Sequence, residues 1–109
     1  MSEPTTQPGK SLTAQMEDEL DLLRRHIAIL KEVKKSGPVG IIRLSGDTQI
    51  PQHKVRYSLR LLEGDGLIKA SAQGAVATEA LDEFKPRMEE LLEIMTQTAT
   101  DLRQDLKEL

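Results

Sequence analysis

The C-terminal third of the chain carries a large apolar side chain at every seventh position, and this repeat strongly constrains the fold. Its members are Leu81, Met88, Met95, Leu102 and Leu109. Further apolar residues follow three or four positions after them, as expected for one stripe along a helix. An unbroken helix of about 29 residues would be roughly 43 Å long, too long for a domain of about 60 residues to cover. The stripe therefore predicts contact with another chain.

The limits of this C-terminal helix follow from local signals. Thr78 is a favourable N-cap residue, and the periodic pattern continues from it to about Lys107. Pro86 lies inside the pattern, so the helix either bends there or begins near Glu83. Residues 79–109 are therefore predicted to form a C-terminal dimerisation helix.

A second amphipathic helix is predicted from Ala14 to Lys35, ending at Gly37-Pro38. It carries two neighbouring apolar stripes, which are Met16, Leu20, Leu23, Ile27 and Leu30, and beside them Leu22, Ile29 and Val33. Two stripes are more than one small core needs, so this helix is also expected to contact a partner. The residues predicted at a homodimer interface are Leu22, Ile29, Leu81, Met88, Leu91, Leu92, Met95 and Leu102. Residues 1–13, rich in Ser, Thr, Pro and Gln, are predicted to be a disordered tail.

Between the two long helices, glycine and proline cut the chain into short elements. Residues 38–45 favour a short helix, although their β-branched content and Gly40 leave a buried strand as the alternative. Gly46-Asp47-Thr48 predicts a turn. Pro51 begins a second helix, which ends at residue 62 or 63 before Gly64-Asp65-Gly66. Residues 67–70 and 75–77 predict two strands, joined by a turn over residues 71–74.

Composition excludes several classes of protein. The sequence has no cysteine, which rules out disulfides, thiolate metal sites and cysteine nucleophiles. It has no run of about 18 apolar residues and no apolar N-terminal signal, so a cytoplasmic protein without a membrane span is expected. No phosphate-binding loop, nucleophile motif or metal-ligand motif is present, so neither an enzyme nor a cofactor is expected. His26 is interpreted as an interface or partly exposed residue.

Charge is distributed unevenly along the chain. The net charge is −3, but residues 38–70 contain five basic and three acidic side chains, for a local net charge of +2. Residues 71–109 contain four basic and nine acidic side chains, for a local net charge of −5. The local field, more than the total charge, directs a polyanion to its site. The middle of the chain is therefore a candidate for nucleic-acid binding.

The predicted helix that begins at Pro51 has one apolar and one basic face. Val55, Leu59 and Leu62 share the inward side, with Ser58 beside them. The candidate DNA-binding residues on the other side are Gln52, His53, Lys54, Arg56, Tyr57 and Arg60, and those of the strand pair are Lys69 and Gln73. Side chains of these types contact phosphates and base edges. A solvated helix face without a ligand is the simpler alternative.

The segments Gly37 to Leu44, Ile50 to Glu63 and Gly66-Leu67-Ile68 together resemble the winged helix-turn-helix transcription regulators of archaea and bacteria. The middle segment is most similar to small predicted archaeal regulators of this class. The resemblance covers about residues 20–80 and implies that the helix from Pro51 is the recognition helix and that Ser71 to Gly74 form the tip of the wing. Lys69 is the single cation of this wing, a departure from strongly basic wings.

Together these features predict a mainly α fold with a small β-hairpin, in which residues 14–78 form a winged helix-turn-helix domain. The expected function is that of a sequence-specific regulator of transcription that binds double-stranded DNA as a homodimer. The alternative is a winged helix that binds other proteins and not DNA.

Overall fold

The computed structural model describes residues 9–109, which form four helices and one two-stranded antiparallel sheet. In chain order the elements are α1 (Leu12–Ser36), α2 (Ile41–Thr48), α3 (Gln52–Gly64), β1 (Ile68–Ser71), β2 (Gly74–Ala77) and α4 (Leu81–Leu106). The predicted class, mainly helical with a small β-hairpin, is confirmed. Backbone contacts divide the chain into two compact units, with the boundary between Thr78 and Glu79.

Helix α1 begins two residues before its predicted start because Ser11 caps it. The Ser11 hydroxyl accepts a hydrogen bond from the backbone N–H of Ala14 at 3.1 Å, which satisfies one of the free donors of the first turn. Leu12 and Thr13 are therefore helical, and the prediction of a disordered tail over residues 1–13 is wrong for these two residues. The part of that tail over residues 1–8 lies outside the described residues.

The first residues predicted for α2 are extended instead of helical. Val39 forms an isolated antiparallel bridge with Ala75. The distance from the Val39 nitrogen to the Ala75 oxygen is 3.1 Å, and that from the Ala75 nitrogen to the Val39 oxygen is 2.8 Å. The predicted helix is therefore correct from Ile41 onward, and the strand alternative is reduced to the single bridge at Val39. Gly46, Asp47 and Thr48, predicted as a turn, lie inside α2. The chain reverses at Gln49, whose φ of 62° is left-handed.

Helix α3 and the hairpin follow the predicted positions within one residue. Pro51 stands at the N-cap of α3, and Gly66 has the positive φ of 79° that a glycine adopts without strain. Strand β1 pairs with β2 in a register that places Ile68 opposite Ala77 and Ser71 opposite Gly74.

The core of the first unit is aliphatic and lies among α1, α2, α3 and the hairpin. Its most deeply buried side chains are Ile29, Val33, Val39, Leu44, Val55 and Ser58. Ile29 has an exposed fraction of 0%, so its predicted place at a dimer interface is wrong: it packs inside its own chain. Leu81, a residue of the second unit that was also predicted at the interface, is 7% exposed in the single chain, and Leu22 is half-buried.

Gly74 allows the hairpin to lie directly against Val39. Its φ is 130°, and a Cβ at this position would stand 2.6 to 2.8 Å from the backbone C, O and N atoms of Val39. We expect Gly74→Ala to lower the free energy of unfolding by roughly 2–4 kcal/mol, through backbone strain and loss of the bridge. Urea unfolding followed by circular dichroism measures this effect.

Gly46 provides the matched control for that substitution. It lies inside α2, and a Cβ there would meet no atom within 4 Å. Gly46→Ala should leave stability unchanged or raise it by up to about 1 kcal/mol, because alanine favours the helix. Equal effects at the two glycines would contradict the role given to Gly74.

Helix α4 is continuous from Leu81 to Leu106 and contains Pro86. Its start lies two residues before the alternative start near Glu83 and two residues after the start that a Thr78 N-cap would give. The Thr78 hydroxyl donates a hydrogen bond to the carbonyl of Gly66 at 2.6 Å, and Ala80 stands at the N-cap position of α4. Residues 89–109 are all exposed in the single chain.

Across residues 9–109, we find no helix that combines the length and the apolar character needed to cross a membrane.

Candidate nucleic-acid interface

Helix α3 has a basic face formed by His53, Arg56 and Arg60, here called the α3 face. At about 100° per residue, these three positions fall within an arc of about 60° around the helix axis. All three side chains are exposed. On the opposite side, Val55 and Ser58 are fully buried and Leu62 is 3% exposed. The predicted inward and outward sides of this helix are confirmed at these positions.

The two arginines of the α3 face have no ion-pair partner among residues 9–109. Across residues 9–109, no carboxylate lies within 4 Å of Arg56 or Arg60, whereas Arg43 and Arg87 pair with Asp47 and Glu90. A pair of exposed, unpaired guanidinium groups on one helix face produces a local positive field. Such groups suit phosphate oxygens and the acceptor edge of guanine.

The other residues predicted for α3 lie at the edges of this face. Gln52 is about 80° from Arg60 around the helix, and Lys54 about 120° from it on the other flank. Both are exposed. The first turn of α3 has no side-chain cap, so its free N–H groups remain available to an anion.

The sequence predicted that Tyr57 projects outward from α3, but its ring packs against two residues of α1. Its ring centroid lies 5.9 Å from that of His26 and 5.7 Å from the guanidinium carbon of Arg25. It remains 37% exposed. Tyr57 thus links the α3 face to α1.

A polar cluster beneath Tyr57 joins the same two helices. The Ser58 hydroxyl lies 2.8 Å from Nδ1 of His26, and it accepts a hydrogen bond from Nε of Arg25 at 3.3 Å. Ser58 is fully buried, so these contacts satisfy a polar group in the core. Arg25 and Ser58 were not among the residues predicted to matter for binding, because no local spacing reveals a contact between residues 33 apart.

Burial, and then the neighbouring charge of Arg25, lower the pKa of His26 below its usual 6.5. As the pH falls through 6.5, the unfolded chain therefore takes up a proton before the folded protein does. The stability associated with neutral His26 is present above this pH and is lost as the pH falls below it.

His26→Gln should remove this pH dependence. We expect wild-type stability to exceed that of the variant most clearly at about pH 7.5, and the difference to shrink towards about pH 5.5. Chemical unfolding over this range measures the difference, with His53→Gln as the control for losing an exposed imidazole. A difference that grows as the pH falls would contradict the direction given for His26.

The hairpin adds little positive charge. Lys69 and Gln73 are exposed, as a contact role would require. Lys69 and Glu63 line the same groove of about 290 Å³ between α3 and the hairpin, so the carboxylate weakens the positive field there. The α3 face is therefore the stronger candidate for contact with a polyanion.

No group of three or more His, Asp or Glu side chains within residues 9–109 is placed to hold a metal ion. Among known proteins, no family model matches the sequence, and no curated protein is significantly similar to it.

Proposed function

We propose that the protein is a transcription regulator that binds double-stranded DNA sequence-specifically as a homodimer. The observation that carries this proposal is the α3 face, where exposed Arg56 and Arg60 have no carboxylate partner within residues 9–109. A helix of 13 residues is about 20 Å long and fits the major groove.

The order of the elements supports a winged helix-turn-helix arrangement. Helices α2 and α3 are separated by Gln49, Ile50 and Pro51 alone, and the β1–β2 hairpin follows α3 directly. In this class the second helix of the pair enters the major groove and the hairpin lies beside it as the wing. We therefore assign α3 as the recognition helix and residues 71–74 as the wing tip.

The α3 residues divide naturally between two kinds of contact. Arg56 and Arg60, at the centre of the face, would read guanine or hold phosphates, and Gln52 in the first turn would pair with adenine. His53 adds a further hydrogen-bonding group to the face. Contacts with the sugar-phosphate backbone of the DNA would come from Lys54 and Tyr57, at the edges of the face, and from Lys69 and Gln73 of the hairpin.

The exposed apolar side chains of α4 support the homodimer. They include Leu92 at 44%, Met95 at 44%, Leu102 at 52% and Leu106 at 63% exposure. Fully burying one such side chain is worth about 1.5–3 kcal/mol, so pairing with the same stripe of a second copy would be strongly favourable. Met88 and Leu91 lie on the same predicted stripe.

The first half of α1 exposes a second apolar surface. Leu12, Met16 and Leu20 are 81%, 61% and 41% exposed. They replace Ile29 as the candidate contribution of α1 to the dimer. The same exposed surface favours the second candidate function, a module that binds another protein and not DNA.

A duplex-binding measurement separates the two functions. With labelled mixed genomic fragments, we expect fluorescence anisotropy to show binding that weakens steeply with salt. About six phosphate contacts would give a slope near −5 in a plot of log K against log salt concentration. Absence of binding at about 50 mM salt would reject the DNA-binding proposal and favour the protein-binding module.

A further inference from the structure

We propose that Arg25, on α1, binds a phosphate of the DNA backbone beside the α3 face. This inference rests on the proposed DNA-binding function and adds to it a contact from a different helix. It is carried by the way the guanidinium group is held and by the absence of a negatively charged partner.

Two contacts hold the Arg25 guanidinium group in place. Its Nε donates to the buried Ser58 hydroxyl at 3.3 Å, and its central carbon lies 5.7 Å from the centroid of the Tyr57 ring. An arginine has five N–H donors. The Nε–H group is bonded to Ser58, and the four N–H groups of the two terminal nitrogens can bind an anion. A guanidinium group ordered in this way loses little conformational freedom when it binds an anion.

The guanidinium group of Arg25 forms no ion pair within the part of the chain that the structure describes, since no carboxylate there lies within 4 Å of it. The side chain is half-buried, which makes an unpaired charge more costly than it would be in open solvent. A phosphate would supply the missing negative charge and accept two parallel N–H bonds.

The position of Tyr57 indicates which part of the DNA Arg25 would meet. Tyr57 is about 60° from Arg60 around α3, so the Arg25 side chain lies at the flank of the α3 face and not at its centre. A group at the flank of a helix in the major groove faces the sugar-phosphate backbone. Its contribution should therefore raise affinity without altering sequence preference.

His26 provides a spectroscopic reporter of this contact. Its Nδ1 lies 2.8 Å from the same Ser58 hydroxyl, and the positive charge of Arg25 contributes to the lowering of its pKa. A phosphate bound to Arg25 would offset that charge. The pKa of His26 should then rise when DNA binds.

The variant Arg25→Gln tests the contact. Arg24→Gln, which changes the neighbouring exposed arginine, is the matched control. For each chain of the dimer, we expect Arg25→Gln to weaken binding to any duplex roughly tenfold and to reduce the salt slope by about 0.9. Arg24→Gln should remain within about twofold of wild type. Thermal unfolding of both variants shows whether the fold is retained.

Nuclear magnetic resonance of the His26 ring in the wild-type protein gives a second test that needs no variant. A higher pKa of His26 in the presence of duplex DNA supports the contact. If Arg25→Gln binds DNA as Arg24→Gln does, or if the pKa of His26 does not rise, the inference is overturned while the α3 face can still bind DNA. If the wild type binds no duplex, the proposed function fails, and the inference with it.

Discussion

Arg56→Ala combined with Arg60→Ala should abolish specific DNA binding while leaving the fold intact. Both side chains are exposed and form no ion pair within residues 9–109, so their removal leaves no buried group unsatisfied. A hydrogen bond to a charged group contributes about 1.5–3 kcal/mol. Because a homodimer would lose four such side chains, we expect affinity for a selected duplex to fall by at least about 1,000-fold.

The control for this double variant removes the same charge elsewhere. Arg87 and Arg103 are exposed residues of α4, and changing both to alanine should alter DNA affinity by less than about threefold. Anisotropy titrations at fixed salt compare the two proteins, and circular dichroism checks their folding. A folded Arg56→Ala, Arg60→Ala protein that binds its duplex as wild type does would show that the α3 face is not the interface.

Met95→Glu combined with Leu102→Glu should convert the dimer into a monomer. Both residues are about half exposed in the single chain, so the substitutions should not disturb the fold of one copy. In a paired α4 stripe, however, each would bury an unpaired carboxylate. Light scattering should give twice the chain mass of 12.2 kDa for the wild type and the single mass for the variant.

Loss of the dimer should also weaken DNA binding, because two linked recognition helices bind more tightly than one by roughly 100-fold or more. Gln97→Glu combined with Gln104→Glu is the matched control, since these exposed residues lie on the side of α4 away from the apolar stripe. The control should remain dimeric. A wild-type protein that is monomeric at micromolar concentration, or a double variant that remains dimeric, would contradict the proposed α4 pairing.

The elements that the sequence predicted well are those with local boundary signals. Pro51 and the Gly64-Asp65-Gly66 segment placed α3 within one residue, because proline favours a helix start and glycine a helix end. The start of α2 could not be placed in this way. It depends on the bridge between Val39 and Ala75, which are far apart in the sequence, and this bridge keeps Val39 extended.

The same distinction applies to the candidate site. Helical periodicity alone places Arg56 and Arg60 opposite Val55 and Ser58, and the structure agrees. Both apolar stripes of α1 contribute to the core near its C-terminal end, where Ile29, Leu30 and Val33 are buried. Periodicity cannot show how far along the helix this burial extends, and Ile29 was therefore wrongly predicted at the dimer interface. Nor can it reveal that Tyr57 packs beside Arg25 and His26, because that contact requires α1 and α3 to meet.

Selection of bound duplexes from a random DNA pool shows whether the protein reads DNA sequence as a dimer. We expect enrichment of one motif made of two inverted half-sites, with centres about 10 base pairs apart or a multiple of that spacing. The Arg56→Ala, Arg60→Ala protein should enrich no motif. If the folded wild-type protein enriches no sequence at low salt, it is not a sequence-specific DNA-binding protein.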